Sequence, residues 1–149
     1  MNAPLFNLQA SGLCVRSVGG AQIDLADFRG QKLALFFCPA NVSEAAREVA
    51  EYRMAADDFE RSGVWLIGMV PDQLAPGYAK DSAGHHLCIA HDPGGKLRSR
   101  LTTLSAVADH EGERETEGAT YLFDRWGNLA GVWNGAGHAR DVLRAAESR

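Results

Sequence analysis

Two short apolar runs joined by one amphipathic segment constrain the fold of this chain more than any other feature. Residues 33–37 and 64–70 are almost continuously apolar, which is typical of strands buried on both faces of a sheet. The segment between them has apolar residues at helical spacing, at Val49, Tyr52, Ala56 and Phe59. A strand, a helix and a strand in this order predict a right-handed β-α-β unit with parallel strands.

The ends of the predicted helix follow from local chemistry. Pro39 ends the first strand because proline cannot donate to a β-ladder. We expect Ser43 to be the N-cap, and Gly63 suits the stop after the last turn. We expect the charged positions to lie away from the apolar stripe, namely Glu48, Glu51, Arg53, Asp57 and Asp58. The turn at 39–46 lies where open α/β folds place their chemistry.

The rest of the chain predicts further strands around this unit. Gly19 and Gly20 form a tight-turn signal between residues 13–18 and 21–25, so we expect an N-terminal β-hairpin. Other predicted strands are 87–90, 119–124 and 129–133, and predicted helices are 74–84 in part, 96–101 and Ala139–Glu147. Residues 102–118 lack a periodic pattern and predict a solvated loop. The fold class is therefore α/β.

Composition excludes several classes of protein. A chain of 149 residues is long enough for one hydrophobic core, so we expect a single domain over residues 1–149. The net charge of −4 gives no electrostatic basis for nucleic-acid binding, and no apolar run approaches the ~20 residues of a membrane span. Without a secretory pattern, and with three widely separated cysteines, we expect a cytoplasmic protein.

Several motifs, in their shared order and spacing, resemble the peroxiredoxins, the alkyl hydroperoxide reductase and thiol-specific antioxidant branch of the thioredoxin-like fold. The resemblance is closest to the small, bacterioferritin-comigratory type. It implies a central mixed β-sheet flanked by helices, with an N-terminal β-hairpin. The matching motifs are APLFNL at 3–8, GAQIDLADFRG at 20–30, FFCP at 36–39, VWLIGMVPD at 64–72, DPGG at 92–95 and TYLFD at 120–124.

The chain departs from the family where the chemistry should be. The family pattern is P-x-x-x-(T/S)-x-x-C; Pro39 and Ser43 match it, but Ala46 replaces the peroxidatic cysteine. The possible resolving position falls at Glu51, and the family's arginine falls at Gly118. Peroxide cleavage needs a thiolate that attacks one oxygen while donors stabilise the other. The resemblance therefore implies that the family's standard mechanism cannot operate here.

Four other residues are weighed as site candidates. Cys38 follows the central strand, so it is either a displaced nucleophile or a small buried hydrophobe. Cys14 and Cys88 are assigned to core packing. By resemblance, Ser43 contacts a peroxide; its alternative role is that of a plain N-cap.

A cysteine introduced at Ala46, in the first turn of the helix, should regain slow peroxide reactivity, and an arginine introduced at Gly118 should increase that reactivity.

The histidine-rich stretch at 85–91 indicates a weaker metal-binding alternative, since His and Cys are good zinc ligands. Strand alternation opposes it. His86 and Cys88 would share one face, while His85 and His91 would lie on the other. We expect neither a metal nor a cofactor.

Three functions follow from the sequence. The first is a peroxiredoxin-like protein with little or no peroxidase activity, acting on a small thiol or a peroxide if activity remains. The second is a non-catalytic binding or dimerisation module with a protein partner or a second copy of the chain. In that case Trp126, in a predicted turn, either marks a contact surface or folds back over its hairpin. The third is metal binding.

Overall fold

The computed structural model describes residues 14–28, 30–71, 74, 76, 87–91 and 118–148. Within these ranges a 3-10 turn spans Leu25–Phe28. The predicted helices at 74–84 and 96–101, and the predicted loop from 102 to 117, lie almost wholly outside the described residues. The strands and helices are β1 Cys14–Ser17, β2 Gln22–Asp24, β3 Lys32–Phe37, α1 Val42–Arg61, β4 Val64–Met69, β5 Leu87–His91, β6 Ala119–Phe123, β7 Leu129–Asn134 and α2 Ala139–Glu147.

The strands form one mixed sheet in the order β2-β1-β5-β4-β3-β6-β7. Strands β3 and β4 are parallel, with Leu33 opposite Trp65 and Phe37 opposite Met69. Strand β6 lies antiparallel to β3, and β7 pairs antiparallel with β6. The β-α-β unit, the late antiparallel hairpin and the N-terminal hairpin β1–β2 are thus confirmed. So is the predicted α/β class with its thioredoxin-like mixed sheet.

The central strand is buried on both faces, as its apolar run predicts. Ala34 and Phe36 pack in the cluster that contains α1 and α2, whereas Leu33, Leu35 and Phe37 pack in a second cluster on the opposite face of the sheet. Alternation along the strand therefore divides its side chains between two cores. The fully or nearly fully buried side chains include Phe36, Val49, Phe59, Leu66, Ile67 and Leu122.

Aromatic packing fixes α1 on the sheet. The ring of Phe36 stacks on that of Tyr52, with their centroids 3.9 Å apart. On the neighbouring strand, Gly68 lies opposite Phe36, and a Cβ there would approach Phe36 Cζ to 2.3 Å. The strand therefore needs glycine at this position so that the ring can lie between helix and sheet.

Helix α1 begins earlier than the sequence predicted. Its N-cap is Asn41, whose side chain accepts a hydrogen bond from the Glu44 amide at 3.0 Å. Ser43 is the second residue of the helix, so its prediction as N-cap was wrong. Asparagine caps as well as serine, and the extended backbone of Asn41 orients its side chain for that role. The predicted stop is confirmed: Gly63 follows the helix with a φ of 76°.

Hydrogen bonds connect α2 to the rest of the fold near both of its ends. Near its start, Arg140 Nη1 donates to Asp58 Oδ2 of α1 at 3.0 Å, and this hydrogen bond lowers the pKa of Asp58. At its end, Lys32 Nζ donates to the Ala146 carbonyl at 2.7 Å. A cation at a helix C-terminus also complements the partial negative charge there.

Candidate functional site

The residues that the sequence predicted for the site converge where β3 ends and β6 begins. Cys38 follows β3 directly, and its amide donates to the Met69 carbonyl of β4 at 2.9 Å. Gly118 precedes β6, and a Cβ there would lie 2.6 Å from the Phe37 carbonyl oxygen and 3.2 Å from the Pro39 nitrogen. The loop that follows β3 and the position that precedes β6 are therefore neighbours.

Ala46 does not lie in the first turn of the helix. It is the fifth residue of α1, which begins at Val42. The amide of the preceding Ala45 already donates to the Asn41 carbonyl at 2.8 Å, and an α-helix pairs the next amide with the carbonyl four residues back. The expectation that position 46 lies in the first turn, where the helix amides are unpaired, was therefore wrong. Ser43 and Glu51 are both exposed on the same helix.

Cys38 occupies an environment that opposes its ionisation. The residue is 7% exposed. Burial raises the pKa of its thiol to about 12, and the nearby Glu48 carboxyl adds to the rise. At that pKa the thiolate is outnumbered by the thiol ~10⁵-fold at neutral pH. Because the thiolate is the nucleophile, this environment favours the role of a small buried hydrophobe.

The other two cysteines, Cys14 and Cys88, differ in their exposure to solvent. Cys14 is exposed at the start of β1, so its assignment to core packing was wrong. Cys88 is half-buried in β5 and packs against the second core, and burial raises the pKa of its thiol. Neither residue adjoins the end of β3 in the sheet order, because β1 and β5 lie beyond β4.

The histidine-rich stretch is described only from residue 87 onward. Leu87 and Ile89 belong to the core under α1, while Cys88 packs on the opposite face. His91, two positions from Ile89, falls on the face away from Cys88. Among the described residues, no three His, Cys, Asp or Glu side chains are placed to hold a metal ion. His85 and His86 lie outside those residues.

A buried polar cluster beneath α1 was missed by sequence reasoning. It consists of Cys38, Glu48, Tyr52 and Thr120. Tyr52 Oη and Thr120 Oγ1 share a hydrogen bond at 2.6 Å. Glu48 is 2% exposed, and its Oε1 accepts from the Gly137 amide at 2.9 Å, so its assignment to the polar side of the helix was wrong. Its position four residues before Tyr52, on the apolar stripe, was the available signal.

Burial sets the electrostatics of this cluster. It raises the pKa of Glu48, and the Glu51 carboxylate contributes in the same direction. The hydrogen bond from Gly137 and the nearby His138 oppose the rise. Burial also raises the pKa of Tyr52, although its hydrogen bond to Thr120 lowers it. The cluster therefore favours neutral forms of its acids.

Trp126 is exposed on the β6–β7 hairpin, with 64% of its surface accessible. The Arg125 guanidinium carbon lies 5.6 Å from the centroid of its ring, within range of a cation–π contact. This exposure contradicts the interpretation in which the ring folds back over the hairpin.

The parallel β3-α1-β4 unit, the antiparallel β6–β7 hairpin and the site at the end of β3 define the class: a thioredoxin-like fold of the peroxiredoxin type. A family model described as the AhpC/TSA family matches residues 1–132, and the chain belongs to that family. The predicted family is thereby confirmed. A search of curated proteins gave no match.

Solved structures agree with this fold. Xanthomonas campestris bacterioferritin comigratory protein, described for its alkyl peroxide reduction activity, is 21% identical with a TM-score of 0.73, over 97% of this chain and 96% of that chain. A Cys-to-Ser variant of Xylella fastidiosa PrxQ is 21% identical with a TM-score of 0.73, over 99% and 96%. The mitochondrial 2-Cys peroxiredoxin from Plasmodium falciparum is 17% identical with a TM-score of 0.68, over 97% and 90%.

The described part of the chain has no helix with the length and apolar character needed to cross a membrane.

Proposed function

We propose that this chain is a peroxiredoxin-fold protein with little or no thiol peroxidase activity. The observation that carries the proposal is Ala46, which stands where the family places its peroxidatic cysteine. A methyl group cannot attack a peroxide oxygen, so the first bond of the family's reaction cannot form at this position.

The surroundings of the site support the same proposal. Cys38 is the one thiol next to the loop, and its burial and high pKa oppose the thiolate. Gly118 stands where the family has an arginine, so that guanidinium is missing as a stabiliser of charge on the leaving oxygen. If residual activity exists, Cys38 is the nucleophile we propose, with a small thiol as reductant and a peroxide as substrate.

A peroxide-consumption assay tests the proposal. Purified, metal-free protein with a thiol reductant should consume hydrogen peroxide far more slowly than ordinary peroxiredoxins, and without saturation. Because Cys14 is exposed, Cys14→Ser is the matched control for any slow reaction of a surface thiol that does not involve Cys38. Rapid, saturable turnover would contradict the proposal, and its loss in Cys38→Ser would identify Cys38 as the nucleophile.

A non-catalytic binding or dimerisation module is the second candidate, because Trp126 is exposed. Burying an indole at a protein interface stabilises it strongly. If the ring is a contact between two copies, sedimentation should give twice the chain mass for the wild type and a weaker dimer for Trp126→Ser. A monomer at every concentration would exclude self-association and leave a different protein as partner.

The remaining features of the proposal come from the sequence. We infer one domain over residues 1–149, a cytoplasmic location, no cofactor, and neither nucleic acid nor membrane as partner. Metal binding is the weakest alternative, and metal analysis of the purified protein tests it. Zinc bound in a one-to-one ratio would support the metal-binding alternative.

A further inference from the structure

The carboxyl group of Glu48 joins α1 to the turn before α2. Its Oε1 accepts the Gly137 amide hydrogen at 2.9 Å, and α2 begins two residues later at Ala139. Its other oxygen, Oε2, has no hydrogen-bond partner in the part of the chain that the structure describes. A carboxyl group with one free oxygen is costly to bury, and far more costly when ionised.

The groups around Glu48 do little to neutralise a charge there. From its own helix, Tyr52 and the Glu51 carboxylate face it, and from the end of β3 it faces the Cys38 thiol. From the turn before α2, His138 is a nearby group that can be cationic. That ring is engaged elsewhere: Nδ1 lies 3.2 Å from Asp141 Oδ2, and Nε2 lies 3.1 Å from the Asn134 carbonyl oxygen.

Polar contacts join α2 and the turn before it to the rest of the described chain. They include the Glu48–Gly137, Arg140–Asp58 and Lys32–Ala146 bonds and the contact of His138 with the Asn134 carbonyl oxygen. Its apolar face, formed by Ala139, Val142, Leu143 and Ala146, is buried in the core that also contains Cys38. Movement of α2 away from α1 would therefore bring water to both Glu48 and Cys38.

We propose that Glu48 is a proton-operated latch for α2: its neutral carboxyl holds the turn before α2 against α1, and loss of the proton favours an opening that hydrates the carboxylate and exposes Cys38. The inference does not depend on the proposed function, because it concerns the docking of a helix and not peroxide chemistry.

The direction of the pH effect follows from linkage. In the closed state burial raises the pKa of Glu48 above its ordinary value of 4.5, whereas in the open state water returns it to that value. Between the two pKa values the closed state holds the extra proton, so rising pH favours opening. Above the raised pKa both states are ionised and the effect ends. Because one proton is involved, the equilibrium constant for opening increases at most about tenfold per pH unit.

Hydrogen exchange measured from pH 4.5 to 9 tests the latch. After correction for intrinsic exchange, the protection of α2 amides, such as the Val142 amide bonded to the His138 carbonyl, should be highest near pH 4.5. It should then fall by up to about tenfold per pH unit before levelling. Glu48→Gln keeps an acceptor for Gly137 without a titrating proton, so its protection should be independent of pH.

Two controls separate the latch from other causes. His138→Gln tests the neighbouring titratable ring, and it should retain the fall in protection. In the wild type, α2 amides should exchange faster than those of β3 at every pH, since local opening precedes global unfolding. The proposal would be overturned if the protection of α2 amides still fell with pH in Glu48→Gln. It would also be overturned if α2 and β3 amides exchanged at the same rate. Constant protection in the wild type would overturn it as well.

Discussion

Replacing Phe59 by alanine should lower the free energy of unfolding by about 3–5 kcal/mol, the range for a fully buried phenylalanine. The ring is fully buried in the core under α1. Its centroid lies 5.9 Å from that of Tyr52, which stacks in turn on Phe36 of the central strand. The cavity left by the ring would therefore lie beneath the aromatic contacts that hold the helix on the sheet.

Thermal and denaturant unfolding of the purified variant would measure this loss. Met54→Ala is the matched control because it removes a large apolar side chain from the same helix, at a position that is 81% exposed. Its effect should stay within about 0.5 kcal/mol of the wild type. Equal losses in both variants, or none at Phe59, would contradict the packing of α1 described above.

The fold was largely predictable because its strongest signals are periodic. The run before Cys38 and the run from Val64 are almost continuously apolar, as is typical of a strand covered on both faces. The helical stripe ending at Phe59 specifies the face that α1 buries. These patterns depend on many residues together, so a single unusual position, such as Gly68 beneath the Phe36 ring, does not hide them.

The failures involve single residues whose surroundings come from distant parts of the chain. Glu48 looks like a surface carboxylate in sequence, yet its hydrogen-bond donor is the Gly137 amide, far along the chain. Cys14 sits in a strand as predicted, but points to solvent. The helix start depended on which of two good capping residues, Asn41 or Ser43, has the extended backbone. Of these residues, only Glu48 had a local signal, its position four residues before Tyr52 on the apolar stripe.

The candidate site was predicted in location but not in detail. The resemblance placed Pro39, Ala46 and Gly118 in one region, and the structure brings Pro39 and Gly118 together. It also begins α1 at Val42, which moves position 46 into the second turn and away from the unpaired amides of the helix start. A cysteine at Ala46 would thus lack the local donors that lower a thiol pKa at a helix N-terminus.

Gly118→Arg, which would place an arginine where the resemblance implies one, should destabilise the protein by roughly 2–5 kcal/mol. Gly118 has a φ of 85°, and a side chain in the left-handed region costs roughly 1–2 kcal/mol. Its Cβ would also lie 2.6 Å from the Phe37 carbonyl oxygen. Relieving that contact requires movement of the backbone, and such overpacking typically costs about 1–3 kcal/mol.

Alanine variants separate the two contributions and show what they mean for Ala46→Cys. Gly135 has a φ of 87° with open space around its Cβ position, so Gly135→Ala should carry the conformational cost alone. Gly118→Ala should lower the free energy of unfolding by about 1–3 kcal/mol more than Gly135→Ala does; equal losses would contradict the close approach to Phe37.

Because the penalty comes from the Cβ itself, adding Gly118→Arg to Ala46→Cys should lower the stability of the protein without restoring rapid peroxide turnover. If Ala46 and Gly118 stand where the resemblance puts them, restoring activity would require changes at both positions, and the close packing of Gly118 against Phe37 and Pro39 opposes one of them.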